Sequence, residues 1–212
     1  MQRTITIVNN IVILFMYFTT SKNVLAQEWQ LEKYQDHTQV FSRENTNIQE
    51  STNYKEILAI TLVNASPLAL LNLLNDIKRA PQWIDNCIEV NILSNKNEDT
   101  KIVKSTFSAP WPLLNRDMVT KSTIEFADKL IVINITDAGN LFPQQQKTVR
   151  MTDVQGSWTV KSINRNSIEI RYQGSGNPAG NIPVWLANKV LIDSTFKTFI
   201  NLSKIITDDR YQ

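Results

Sequence analysis

The run from Asn181 to Ile206 limits the fold more than any other part of this chain. Trp185, Ile192, Phe196, Phe199 and Ile206 fall close to one stripe at the helical period, with Leu186 and Val190 beside it. Asp193, Lys197 and Lys204 lie off that stripe. Asn181 is suited to cap the helix, and Pro183 to enter its first turn. Such a helix is about 24 residues long, roughly 36 Å at 1.5 Å per residue. A rod of that length with an aromatic face needs a broad apolar surface to lie against. A curved antiparallel sheet supplies one.

The preceding chain reads as that sheet. Glu28 to Gln35 is expected to form a short helix. Gln39 to Arg43 and Tyr54 to Val63 then read as strands, on their β-branched and aromatic alternation. Ser66 is a natural N-cap with Pro67 behind it, and Leu68, Leu71, Leu74 and Ile77 recur at helical spacing, so Pro67 to Ile77 is expected to be an amphipathic helix. A shorter helix is expected from Ala80 to Asp85. Extended runs follow at Ile88 to Leu93, Lys101 to Phe107, Met118 to Phe126, Leu130 to Thr136 and Thr148 to Val154. Ile168, Ile170 and Tyr172 share a face opposite Glu169 and Arg171, and Trp158 to Ile163 is placed to pair with them across Asn164-Arg165-Asn166. Seven to nine strands interrupted by one helical pair make an α+β domain without repeats or linkers.

Composition removes several function classes. Arg3, the apolar run Ile11 to Phe18 and the small-residue ending Val24-Leu25-Ala26 read as a signal peptide over residues 1–26, with Gln27 opening the exported chain. An uncleaved N-terminal anchor is the alternative. The whole chain has 22 basic and 20 acidic residues, and residues 1–26 hold two of the basic ones and no acid. The 186 residues of 27–212 thus carry 20 of each, a balance without the electrostatic footprint of a nucleic-acid binder. Periplasmic or secreted localisation is expected. The single cysteine, Cys87, excludes an internal disulfide and a cysteine-rich zinc site, and reads as a small buried hydrophobe. The single histidine, His37, sits where a turn or surface role is expected. No metal or cofactor is expected.

Two motifs carry more. In Ala109-Pro110-Trp111-Pro112-Leu113-Leu114-Asn115-Arg116-Asp117-Met118-Val119, two prolines bracket a tryptophan and make a stiff loop suited to a cavity rim. In Gly174 to Asn188, a glycine-rich stretch runs into Ile182-Pro183-Val184-Trp185. Both motifs, in this order, resemble those of START domains, the StAR-related lipid-transfer family, and the resemblance covers roughly Trp29 to Ile206. One departure is Ala179-Gly180, where the family commonly has two glycines. The resemblance implies a helix-grip: a curved antiparallel sheet wrapped around the C-terminal helix, with one lipid held in the gap. It also implies a single START-like lipid-binding domain over 27–212.

Candidate cavity residues follow from this. On the terminal helix they are Trp185, Ile192, Phe196 and Phe199, which serve equally as plain core. Trp111 would gate the mouth, touch a membrane interface or pack under its prolines, and Trp83 is a similar candidate. Phe107, Met118, Ser122 and Ile124 are expected on the cavity wall, with Phe126 on the same face of its strand. Arg116 and Asp117, being adjacent on a strand, must point to opposite faces. A structural ion-pair or hydrogen-bond role is expected for them, with a lipid headgroup as the other role open to Arg116. Asp153, Glu169, Arg150 and Arg171 are expected mostly to face outward, and Gly174-Ser175-Gly176 to act as a hinge. The tail at Asp208-Asp209 is expected to be free. The expected function is non-catalytic binding and transfer of a lipid (sterol, phospholipid or fatty acyl compound) by a monomer in transient membrane contact. Two alternatives stand beside it: a cyclase or hydrolase on the same scaffold, and a membrane-surface or partner-binding module.

Overall fold

The computed structural model describes residues 28–45, 53–97 and 99–212; the expected signal peptide lies outside them. The strands are β1 (Gln30–Gln35), β2 (Thr38–Glu44), β3 (Lys55–Val63), β4 (Cys87–Asn97), β5 (Thr100–Phe107), β6 (Asn115–Ala127), β7 (Leu130–Asp137), β8 (Thr148–Arg150), β9 (Thr152–Ser162) and β10 (Ile168–Asn177). They form one sheet in the order β1-β2-β3-β10-β9-β7-β6-β5-β4, with the short β8 pairing parallel to β6. The helices are α1 (Ala69–Asn75), α2 (Ala80–Trp83) and α3 (Val184–Ile205).

Several local expectations are corrected. Residues 30–35 form a strand, not a helix. Asp36 and His37 adopt φ of 48° and 63°, making a tight reversal that lays Tyr34 against Gln39 and Gln35 against Thr38. Cross-strand pairing there overrides the helical preference of a Gln/Glu/Lys-rich segment. The run Thr148 to Val154 is two strands broken at Met151, because β8 follows β6 while β9 turns away to pair with β7 and β10. Gly174-Ser175-Gly176 is continuous strand within β10, not a hinge. α1 is shorter than expected: it starts without a side-chain cap and ends at Asp76, where a single 3-10 turn (Ile77–Arg79) leads into α2. Asn181 does not cap α3, whose N-cap is the extended Pro183. The tail is also packed, not free: Tyr211 is buried and its hydroxyl donates to Asp76 at 3.0 Å.

The core lies where α3 crosses the concave face of the sheet. Trp158 of β9 stacks on Phe199 of α3 at 5.6 Å between ring centroids and 7° between planes. Trp83 meets the same indole edge-on at 6.5 Å, and Tyr172 of β10 lies against it at 4.7 Å. Ile168, Ile170, Val160, Leu202 and Ile206 complete this cluster. Alternation in β10 works as read: Ile168, Ile170 and Tyr172 turn inward, while Glu169 and Arg171 pair with each other outside at 2.7 Å.

Candidate functional site

Sheet and helix do not touch along their full length. Between them lies a hollow of about 430 Å³ with a mainly apolar lining. β6 contributes a row of alternate residues, Met118, Thr120, Ser122 and Ile124, because every second side chain of a strand faces one way. Leu71, Leu74 and Trp83 line it as well, as do Arg116, Pro178 and Ile182.

Of the residues expected in the cavity, Trp83, Phe107, Arg116, Met118, Ser122, Ile124 and Phe199 line the hollow. Four others do not. Trp111 is 92% exposed and Trp185 is 69% exposed, while Ile192 and Phe196 pack into the core beside the hollow. Phe126 is exposed as well, since β6 runs on past the end of the cavity.

The helix face that roofs the hollow is instead rotated from the aromatic stripe, to Ala187, Leu191, Ser194, Thr195 and Thr198. Bulky residues of α3 fill the space they point into; small and hydroxyl-bearing ones leave it open. The small residues Ala187, Ser194, Thr195 and Thr198, at i, i+7, i+8 and i+11, were the available signal.

The lining is mainly apolar, with hydroxyls at Thr120, Ser122, Ser194, Thr195 and Thr198 and one buried cation. Arg116 is buried, and its guanidinium donates to the carbonyls of Leu114, of Pro178 (3.4 Å) and of Ala179 (3.3 Å). It thereby ties the loop before β6 to the loop before α3. Among the described residues no carboxylate pairs with it. Asp117 points to the other face as expected and is fully buried, 2.9 Å from Arg150 and 3.9 Å from Lys104, with Thr148 donating at 3.2 Å. Arg150, expected outside, is thus buried: it balances Asp117 and also donates to the Gly139 and Phe142 carbonyls.

Tyr172 also lines the hollow. Burial pushes its phenol up to about 12, so it is neutral at physiological pH. At the rim, Asp85 accepts from Ser194 at 2.8 Å, and its backbone N–H donates to Thr198 at 3.0 Å, which fixes α2 against α3.

A curved antiparallel sheet closed by one long terminal helix over an apolar hollow defines a START-like, helix-grip domain. Residues 63–200 match the family described as polyketide cyclase / dehydrase and lipid transport, and the chain belongs to that family. An uncharacterized protein of Pseudomonas aeruginosa is 28% identical over 186 residues, covering 87% of this chain and 90% of its own. The solved STAR-related lipid transfer protein of Xanthomonas axonopodis superposes with a TM-score of 0.74 at 26% identity, over 84% of this chain and 98% of the other. Human STARD10 shares the fold, with a TM-score of 0.73 at 20% identity over 85% of this chain and 74% of its own.

Proposed function

We propose that this protein is an exported, non-catalytic carrier that binds one hydrophobic molecule in the hollow under α3 and moves it between membranes. The observation that carries the reading is the hollow itself: about 430 Å³, mainly apolar, with a row of four β6 side chains facing small residues of α3. Burial of apolar area yields about 25 cal/mol per Å², so a lipid tail is held there without covalent chemistry. The similarity to a protein titled as STAR-related lipid transfer supports it.

Membrane contact belongs to the same proposal. Trp111 and Trp185 are exposed, and each follows or precedes a residue of the cavity lining, Pro110 and Leu186. Indole rings favour the membrane–water interface, so both are placed to touch a bilayer beside the hollow. The protein is proposed to work as a monomer in the periplasm or outside the cell.

A cyclase reading also has support, from the family description. It requires an acid–base pair at the substrate, and the one carboxylate among the described lining residues, Asp85, is engaged at the rim by Ser194 and Asn86. Native mass spectrometry of protein taken from its own compartment, with a vesicle-to-vesicle lipid exchange assay, tests the carrier. Co-purifying lipid and exchange are expected. Protein free of lipid and inert in exchange would refute it.

A further inference from the structure

We infer that the hollow selects an amphiphile bearing one oxyanion, carboxylate or phosphate monoester, and that Arg116 receives that group. This rests on the carrier reading and names its ligand class.

Charge comes first. Among the described residues, three cations line the hollow: Lys55, Lys101 and Arg116. Lys55 is neutralised by Glu32 at 2.7 Å, and Lys101 reaches Asn75 at 2.6 Å near the surface. Arg116 alone is a buried cation held only by neutral carbonyls. A guanidinium has five N–H donors, and three are used, one on each nitrogen. The two left over belong to the two terminal nitrogens, the fork that suits an oxyanion. Carbonyl dipoles orient a buried cation but do not cancel its charge, so an incoming anion gains more there than a neutral head would.

Size comes second. The mainly apolar hollow of about 430 Å³ has room for an acyl chain. With the head at Arg116, the tail runs along β6 past Met118 and Ile124.

The test compares dodecanoate, dodecyl phosphate and dodecan-1-ol, matched in chain and different in head, by calorimetry at pH 8 on the chain from residue 27. At least one anion is expected to bind about tenfold or more tightly than the alcohol, and the better of the two tells carboxylate from phosphate recognition. In Arg116→Gln the margin should collapse; Arg116→Lys, which keeps the charge and loses the fork, should retain part of it. Because Arg116→Gln also releases two loops and is at risk of misfolding, a second readout uses the unmutated protein. The carboxyl of bound, carbon-13-labelled dodecanoate should titrate below its value in water, as beside a cation. Equal affinities for acid and alcohol, a margin that survives Arg116→Gln, or a bound carboxyl that titrates upward would overturn the inference while leaving the carrier intact. Failure of all three probes to bind would overturn both.

Discussion

The hydroxyl of Tyr172 lies over Gly174, two residues along the same strand, so close that a Cβ at position 174 would sit 2.5 Å from the phenol oxygen. Gly156 is the cross-strand partner of Gly174, and a Cβ there would meet the Gln173 carbonyl at 2.7 Å. The paired glycines leave room for the tyrosine ring against Trp158, at one wall of the hollow.

The two glycines should therefore fail differently. Gly174→Ala is expected to turn Tyr172 into the cavity, weakening ligand binding more than it weakens the fold. Gly156→Ala has to move backbone and should cost about 1–3 kcal/mol of stability. Urea denaturation and lipid binding measured on both variants separate these outcomes; equal losses of both kinds would count against the assignment.

Phe199 stacks on Trp158 and is almost fully buried. Phe199→Ala should destabilise by about 3–5 kcal/mol, through lost apolar contact and the void left behind. A midpoint of urea denaturation within error of the parent would contradict this.

Asp117 is the carboxylate that makes a buried Arg150 tolerable. Asp117→Asn should cost about 3–5 kcal/mol, because it strands the cation. Adding Arg150→Met should restore part of that loss, which a double-mutant cycle measures.

Alkaline pH should loosen the fold. Burial lifts Tyr172 from its ordinary 10.0 to about 12, so the folded state keeps a proton that the unfolded state releases. Its share of stability is complete below pH 10 and is lost between about pH 10 and 12, at most about 3 kcal/mol for two pH units. Burial likewise lifts the Cys87 thiol to about 11. Iodoacetamide at pH 8 should alkylate Cys87 about two orders of magnitude more slowly than a free thiol. Rapid labelling of native protein would refute that.

Trp111 is 92% exposed, so Trp111→Ala should change stability by less than about 0.5 kcal/mol. Under the carrier proposal it should slow lipid exchange between vesicles without lowering ligand affinity. Co-sedimentation with vesicles provides the direct check.

Local pattern alone determined the elements whose side chains repeat with a clear period. The helical recurrence ending in Phe199 and Ile206 and the inward trio Ile168, Ile170 and Tyr172 were legible, and with them the sheet-and-helix class. Parity also placed Arg116 and Asp117 on opposite faces. Pairing and filling were decided only in three dimensions. Gln30–Gln35 became a strand because a reversal at Asp36-His37 brought β2 alongside it. Arg150 went inside because Asp117, 33 residues away, needed a cation. The cavity face of α3 escaped the sequence for a related reason: apolar periodicity marks what fills space, whereas a hollow forms where Ala187, Thr195 and Thr198 are too small to reach the wall.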